Sequence, residues 1–227
     1  MPLMAAVLPF SPVGPPPSGF DRVAWCYDAL AGLAFGPALK RAQRAALAGL
    51  PPGAPHVLIL GGGTGWVLLE VLRRRPAATV LYLEASPRML ARAQSRLARH
   101  RPAAVPQVGF RHGTQAALAP GDRFDAVITF FVLDCLAAAE VSPALAQLNA
   151  ARKPAAPWLL ADFRPARRRW RRALLALMYA FFRLSTGLRA RELPPLRREL
   201  ARLGLRRTRR EVFFGGAVEG AVFQQKR

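Results

Sequence analysis

The arrangement of apolar and polar residues divides most of the chain into alternating strands and helices. His56–Leu60 is a short, continuous apolar run closed by glycines, a pattern typical of a strand buried on both faces of a parallel sheet. From this run onwards, strand and helix signals alternate. The predicted strands are His56–Leu60, Thr79–Glu84, Gln107–His112, Phe124–Phe131 and Trp158–Phe163, and the predicted helices are Trp66–Arg75, Pro87–His100 and Ser142–Arg152.

Such an alternation predicts a doubly wound α/β sheet. Near the end of the chain, Arg206–Phe214 and Ala217–Gln224 are two β-prone runs separated by Gly215-Gly216, which predicts a hairpin with a two-residue turn. A hairpin that closes a parallel sheet places an antiparallel strand at or near its edge. The predicted fold class is therefore α/β and Rossmann-like, with a mostly parallel, doubly wound sheet of seven strands and a C-terminal antiparallel hairpin.

The same pattern predicts one domain with two helical additions. Residues 1–19 are expected to form a flexible, Pro-rich leader, and residues 20–227 a single domain. Residues 20–53 predict a helical lid, with helices at Phe20–Leu33 and Pro37–Leu50, and residues 164–204 a helical insertion. The middle of the insertion is apolar on nearly every face. It is expected either to be buried as a cap over an active site or to lie in a membrane interface.

The composition gives the chain a strong positive charge but does not identify a binding partner. The formal net charge is +21, supplied almost entirely by arginine in a chain also rich in Ala, Pro and Gly, which is more typical of genome-wide bias than of function. The charge is uneven: residues 1–151 carry 14 Lys and Arg against 8 Asp and Glu, and residues 152–227 carry 20 against 5. Any anionic surface, such as an anionic membrane, is expected to meet the C-terminal third. No zinc-finger or RNA-binding motif occurs, so nucleic acid is the less favoured partner.

Cysteine usage and hydropathy predict a cytoplasmic, soluble or peripheral protein. Cys26 and Cys135 are the only cysteines, so there is no disulfide framework. No apolar run approaches the roughly 20 residues that a membrane-spanning helix requires. No His, Asp or Cys positions show metal-ligand spacing, so no metal is expected.

The main chemical signal is the loop Gly61-Gly62-Gly63-Thr64-Gly65, between a buried strand and a helix. Small residues there let a ligand approach the backbone N–H groups at the start of the helix. A P-loop would need a lysine that is absent, and a dinucleotide fingerprint would need glycine where Trp66 stands. The remaining class is a methyl-donor site, which also requires an acid at the end of the next strand. Glu84 meets that requirement, 23 positions after Gly61.

With these features the sequence resembles the class I S-adenosylmethionine-dependent methyltransferases over roughly residues 20–225. The matching segments are Val57–Gly65, Leu83–Leu90, Phe110–Thr114, Phe124–Thr129 and Leu159–Phe163. Within that family it looks closest to ubiquinone/menaquinone-biosynthesis C-methyltransferases. That closer likeness rests on Phe20-Asp-x-x-Ala24 with Tyr27-Asp28, Gly62-Gly-Thr-Gly65 and Ser86-Pro-x-x-Met-Leu90.

The resemblance implies S-adenosylmethionine as cofactor and a role for each of several residues. Gly61, Gly63 and Thr64, in the loop that Gly65 completes, would contact the methionine part, and Glu84 the ribose. Thr114 and Gln115 would lie near the adenine, and Phe130 would line the site. Two positions depart from the family. Ile59 stands where an acid is usual in the first strand, and Thr114 stands where Asp is frequent. Either the donor is held differently or more loosely, or activity has been lost.

Methyl transfer mainly requires alignment and exclusion of water, so an acid–base group is needed only when the acceptor loses a proton. Asp134 follows the fourth strand, at the sheet edge where open α/β folds bind ligands, and is the candidate base or acceptor-orienting group. Tyr27 would come from the N-terminal lid. The favoured function is methyl transfer to a small, hydrophobic or quinone-like acceptor. The alternatives are methylation of nucleic acid and a non-catalytic, membrane-peripheral binding protein that retains the fold.

Overall fold

A computed structural model describes residues 35–164 and 193–225, whose strands form one twisted sheet of seven strands. Its strand order is β3-β2-β1-β4-β5-β7-β6. The first five strands are parallel, and β7 runs antiparallel to both β5 and β6. The predicted fold class is confirmed. The strands are β1 His56–Leu60, β2 Thr79–Glu84, β3 Val108–His112, β4 Ala126–Phe130, β5 Trp158–Phe163, β6 Leu205–Phe213 and β7 Val218–Gln225.

The described helices cover both faces of this sheet. They are α1 Ala38–Leu47, α2 Trp66–Arg74, α3 Pro87–His100, α4 Ala138–Ala150 and α5 Leu196–Arg202. Helices α1 to α3 bury apolar residues against one face, including Val57 and Ile59 of β1. Helices α4 and α5 cover the other face, which includes Leu58 and Leu60. Because side chains alternate along a strand, both faces of β1 are apolar, which explains its continuous apolar run.

Two helix starts show how local chemistry sets the boundaries. Ser86 precedes α3, and its hydroxyl accepts a hydrogen bond from the Met89 N–H at 3.1 Å, with Pro87 in the first turn. Helix α4 begins at Ala138, four residues before the predicted start at Ser142. The Glu140 carboxylate accepts a hydrogen bond from the Ala137 N–H at 2.9 Å and so stabilises this earlier start.

The C-terminal hairpin closes the sheet, with β6 at its edge. The predicted two-residue turn is wrong, because Phe213 pairs with Val218 and four residues separate them. Gly215 and Gly216 have φ values of 58° and 89° within this turn, and Phe214 also has a positive φ of 50°. The Phe214 ring packs against Phe35, with ring centroids 5.3 Å apart. This contact accounts for the longer turn.

Helix α1 packs directly on β7. A Cβ at Gly220 would collide with the backbone carbonyl of Ala42, so the glycine permits the close approach of helix and strand. The first lid helix with Tyr27, the leader and residues 165–192 of the predicted insertion lie outside the described residues. Within the described part of the chain, no helix is long and apolar enough to span a bilayer.

Candidate active site

Each glycine of the loop between β1 and α2 is small for a different structural reason. A Cβ at Gly61 would lie 2.5 Å from the Val132 side chain, and one at Gly62 would lie 2.5 Å from the Tyr82 ring. Gly63 has a φ of +61°, and a Cβ there would meet only the Met89 sulfur, at 3.9 Å. The loop therefore keeps open space above Gly63, where a ligand can approach the backbone.

Strand β2 fixes the conformation of this loop at Gly63. The Tyr82 hydroxyl donates a hydrogen bond to the Gly63 carbonyl at 2.9 Å, and the Gly63 N–H donates to Glu84 Oε2 at 2.9 Å. Tyr82 is fully buried and its ring packs on Phe110. Two alternate residues of one strand therefore bind both backbone polar groups of Gly63, so the loop is organised before any ligand arrives.

Glu84 is a buried carboxylate with an imposed orientation. Besides the Gly63 N–H on Oε2, it accepts the Ser86 N–H on Oε1 at 3.0 Å. Each carboxylate oxygen can accept more than one hydrogen bond. A carboxylate held in this way suits a neighbouring pair of hydroxyls, as in a ribose.

A cavity of about 250 Å³ opens at the carboxyl ends of the parallel strands, beside the loop and Glu84. This is the edge where open α/β sheets bind ligands. The lining comprises Gln43, Leu60, Gly61, Gly62, Gly63, Thr64, Trp66, Val67, Glu84, Ala85, Met89, Gly113, Thr114, Gln115, Phe130, Phe131, Val132, Leu133, Cys135 and Leu136. The structure thus brings together Gly61, Gly63, Thr64, Glu84, Thr114, Gln115 and Phe130, which the sequence analysis assigned to one site.

Three other predicted site residues lie elsewhere. Gly65 is absent from the lining formed by the described residues, and a Cβ there would lie 2.9 Å from Ala93. The absence of a side chain at Gly65 instead allows α2 to pack closely on α3. Asp134 is 4% exposed behind the cavity wall, between Leu133 and Cys135, which do line it. Tyr27 falls outside the described residues.

The two positions that depart from the family have structural roles here. Ile59 is buried among the apolar residues under α1 to α3 and is not part of the cavity lining formed by the described residues. The Thr114 hydroxyl accepts the Ala116 N–H at 3.4 Å at the start of a short turn. Thr114 still lines the cavity, as the Asp that is frequent at this position would.

A cluster of buried carboxyl groups lies next to the cavity. Asp162, at the end of β5, is 1% exposed, and its Oδ1 accepts the Phe163 N–H at 2.8 Å. Its Oδ2 is buried and has no hydrogen-bond partner among the described residues. Burial, reinforced by the nearby charge of Asp134, raises the pKa of Asp162 well above its ordinary value. The surroundings of Asp162 thus favour its protonated, neutral form.

Cys135 connects that cluster to the cavity. Its thiol lies 3.6 Å from Asp134 Oδ1 and donates a weak hydrogen bond to it. Burial, followed by the nearby charge of Asp134, raises the thiol pKa well above its ordinary value. Cys135 is therefore a neutral thiol that lies between Asp134 and the cavity.

The sequence analysis missed four residues that shape the site. Trp66, Met89 and Gln43 line the cavity, and Tyr82 holds the loop from behind. Trp66 entered the sequence argument only as a residue that breaks a dinucleotide motif, although a large apolar side chain at the start of α2 is itself a candidate wall. Nothing in the sequence distinguishes Tyr82 from a core aromatic residue. Among the described residues, no group of three metal-ligating side chains occurs.

Comparison with known proteins agrees with this geometry. Residues 58–157 match a family model described as a methyltransferase domain. This segment contains the glycine loop, Glu84, Thr114, Phe130 and Asp134. Among curated proteins, no sequence matches the chain.

Solved structures of methyltransferases share the fold. The crystal structure of TnmH is similar with 26% identity and a TM-score of 0.63, over 83% of this chain and 56% of that one. An O-methyltransferase family 2 protein from Planctomyces limnophilus, in complex with apigenin, has 18% identity and a TM-score of 0.69, over 91% and 62%. The Burkholderia thailandensis 1,6-didemethyltoxoflavin-N1-methyltransferase, with bound 1,6-didemethyltoxoflavin and S-adenosylhomocysteine, has 16% identity and a TM-score of 0.66, over 92% and 87%.

The chain spans 56% and 62% of the length of the first two of these proteins. Matched segment, fold and site geometry therefore all agree with a methyltransferase domain in residues 58–157.

Proposed function

We propose that this protein transfers a methyl group from S-adenosylmethionine to a hydroxyl group of a small aromatic acceptor. The observation that carries the proposal is the pairing of Glu84, oriented by two backbone N–H groups, with the open space above Gly63. Apigenin and 1,6-didemethyltoxoflavin, bound to two structural neighbours, are small aromatic compounds. The apolar part of the cavity wall supports an acceptor of that kind.

The residues present fit the methyl donor. Glu84 would accept hydrogen bonds from both ribose hydroxyls, Thr114 and Gln115 would lie beside the adenine, and the space above Gly63 would hold the methionine part. Bound S-adenosylmethionine supplies a methyl group already activated by a positively charged sulfur. The protein's task is then to align the acceptor and exclude water.

Asp134 is the proposed proton acceptor. An acceptor hydroxyl loses its proton as its oxygen forms the bond to the methyl carbon. Asp134 does not line the cavity, so the proton would reach it through the Cys135 thiol, which lines the cavity and donates a hydrogen bond to Asp134 Oδ1. Cys135 fixes one oxygen of Asp134, and Phe130 and Phe131 would shield the reacting atoms from water. Tyr27 of the N-terminal lid is proposed to cover the acceptor.

The quinone-like acceptor suggested by the sequence is also a small aromatic compound, although the C-methyltransferases that the sequence resembles methylate a carbon atom and not a hydroxyl group. A quinone precursor carries an aromatic ring and a hydroxyl, so it satisfies the same requirements. The aromatic wall formed by Trp66, Phe130 and Phe131 supports it equally well.

Calorimetry with S-adenosylmethionine tests the proposal. We expect micromolar binding that Glu84→Gln weakens at least tenfold. Both Glu84 oxygens accept a backbone N–H, so an amide nitrogen must face one of these donors. Glu211→Gln is the control, because this carboxylate is exposed on β6 and pairs only with Arg209 among the described residues. If the unsubstituted protein failed to bind the donor, the assignment would be wrong.

A further inference from the structure

The edge strand β6 carries four arginines, and a β-bulge decides which of them share a face. Arg207 pairs with Phe223 and Arg209 with Val222, so Thr208 is an extra residue without its own partner position on β7. Arg210 then pairs with Ala221. Without the bulge, Arg207 and Arg210 would point to opposite faces, since their positions differ by an odd number. With it, both lie on the face that α4 and α5 cover.

On that face three guanidinium groups converge on one carboxylate oxygen. Arg164 Nε and Arg210 Nε each lie 3.1 Å from Glu219 Oε2, and Arg207 lies 4.0 Å from the same atom. The Glu219 side chain is only 10% exposed, whereas the three arginine side chains are 23 to 35% exposed. The inner side of the cluster is therefore a buried acid, and the outer side is a set of cations that solvent reaches.

The positive charge of this cluster exceeds its negative charge. One carboxylate faces three guanidinium groups, and the charge of Arg197 on α5 also reaches Arg207. Burial, followed by these neighbouring positive charges, lowers the pKa of Arg207 from its ordinary value. Partly buried cations are ordinarily paired with anions, so a second anion would stabilise this arrangement.

The cluster lies along the same sheet edge as the cavity. Glu219 is directly opposite Asp162 on β5, and the preceding residue, Ala161, accepts the N–H of the cavity residue Phe131 at 2.8 Å. At a strand spacing of about 4.8 Å, Glu219 stands roughly 10 Å from β4. An aromatic acceptor that extended from the cavity along this edge by about that distance would bring a substituent to the cluster.

We propose that Arg164, Arg207 and Arg210 bind an anionic group, a carboxylate or a phosphate, carried by the methyl acceptor. The proposal rests on the proposed function and narrows its substrate class to acidic aromatic compounds. The planar, forked donor groups of arginine match both kinds of anion. Glu219 holds the three side chains together in the absence of ligand.

The test compares two double variants with the same change of charge. Arg207→Gln/Arg210→Gln removes two members of the cluster. Arg206→Gln/Arg209→Gln is the matched control, because these arginines pair with Gln224 and Val222 and lie on the opposite face of the same strand. Binding of inorganic phosphate is measured by calorimetry at constant ionic strength, adjusted with sodium chloride.

We expect the unsubstituted protein and the control to bind phosphate with Kd values within twofold of each other, and the cluster variant to bind it at least tenfold more weakly. Equal weakening in both variants, or no phosphate binding by the unsubstituted protein, would overturn the site. S-adenosylhomocysteine binding, measured separately, should be unchanged in both variants. If S-adenosylhomocysteine did not bind at all, the proposed function would fail, but the phosphate comparison would still decide the anion site.

A second measurement tests whether the anion belongs to the acceptor. In the presence of S-adenosylhomocysteine, 1-naphthyl phosphate should bind the unsubstituted protein at least tenfold more tightly than inorganic phosphate, because its rings would occupy the cavity. Equal affinities would overturn the assignment to the acceptor. Co-sedimentation with phosphatidylserine vesicles that only the cluster variant loses would also overturn it, in favour of a lipid headgroup.

Discussion

Among individual residues, Asp162 is distinctive because burial of its carboxyl group favours the protonated form. Its high pKa follows from burial and from the charge of Asp134, and one of its oxygens has no partner among the described residues. An unfolded chain would release this proton near pH 4, whereas the folded protein holds it. Folding therefore becomes less favourable as the pH rises above that value, until the pH reaches the pKa of the folded state.

We expect Asp162→Asn to stabilise the protein more at pH 8 than at pH 5. Asn resembles the protonated acid in shape and has no proton to release, so this variant removes the pH-dependent cost. The cost grows by up to about 1.4 kcal/mol per pH unit within the window between the two pKa values. Chemical denaturation at several pH values measures it. If the difference in the free energy of unfolding between the variant and the unsubstituted protein stayed constant from pH 5 to pH 8, the raised pKa of Asp162 would be contradicted.

Asp125→Asn is the control, because the pKa of Asp125 is shifted in the opposite direction to that of Asp162. Burial acts to raise the pKa of Asp125, but hydrogen bonds from the Lys153 ammonium and the His56 N–H lower it overall. Asp125 is therefore ionised in both the folded and the unfolded state from pH 5 to pH 8, and it loses its stabilising effect only as the pH falls below its ordinary pKa. The stability lost in this variant should not vary across the window in which Asp162→Asn varies.

Among the elements, helix α1 connects the sheet to the cavity. It packs on β7 at Gly220, and its residue Gln43 lines the cavity. The contact is between backbones, so no side chain can move aside to make room. The position of Gln43 therefore depends on the absence of a side chain at Gly220.

We expect Gly220→Ala to destabilise the fold by about 1–3 kcal/mol, because the methyl group must displace α1 from β7. Donor binding should weaken as well, since α1 contributes to the cavity wall. Gly121→Ala is the matched control, because a Cβ at Gly121 meets no atom within 4 Å and this glycine has no positive φ. Denaturant unfolding and donor calorimetry test both effects. Equal stability of the two variants would show that helix and strand separate at little cost.

The elements themselves follow from sequence because each depends on local information. Continuous apolar runs identify buried strands, as at β1 and β5, and Ser86-Pro87 marks the start of α3. The start of α4 was predicted four residues late, because the Glu140 hydrogen bond that stabilises it gives no apolar periodicity. The hairpin turn was predicted too short, because the contact between Phe214 and Phe35 joins residues far apart in the chain.

Within the site, the residues that face a ligand could be predicted and the residues that hold them could not. Glu84 and Thr114 follow strands whose carboxyl ends meet at one sheet edge, so their proximity follows from topology. The Tyr82 bond to Gly63 depends on side-chain depth within β2, and the pairing of Asp162 with Asp134 depends on the register between neighbouring strands. The bulge that aligns Arg207 with Arg210 is also a matter of register. No local pattern encodes these distances.

At the scale of the whole molecule, the cavity joins parts of the chain that are far apart in sequence. Its wall combines Gln43 of α1, the loop before α2, Glu84 at the end of β2, Gln115 after β3 and Phe130 of β4. A ligand that touches all of them binds only the folded chain. Its binding free energy then adds to the stability of the fold as a unit.

Saturation with S-adenosylhomocysteine should therefore raise the Tm of the whole transition. At one hundred times its Kd, a ligand specific for the folded state adds about 2.7 kcal/mol, which corresponds to roughly 5–11 °C for a protein of this size. Glu84→Gln, with at least tenfold weaker binding, should lose about half of this shift or more at the same ligand concentration. Glu211→Gln should retain it. Differential scanning calorimetry is the measurement.

A polyanion such as RNA should not reproduce the Glu84-dependent shift in Tm, because its phosphate groups attract arginines on the surface and do not reach a carboxylate inside the cavity. An RNA-induced shift lost in Glu84→Gln would instead place nucleic acid in the donor site.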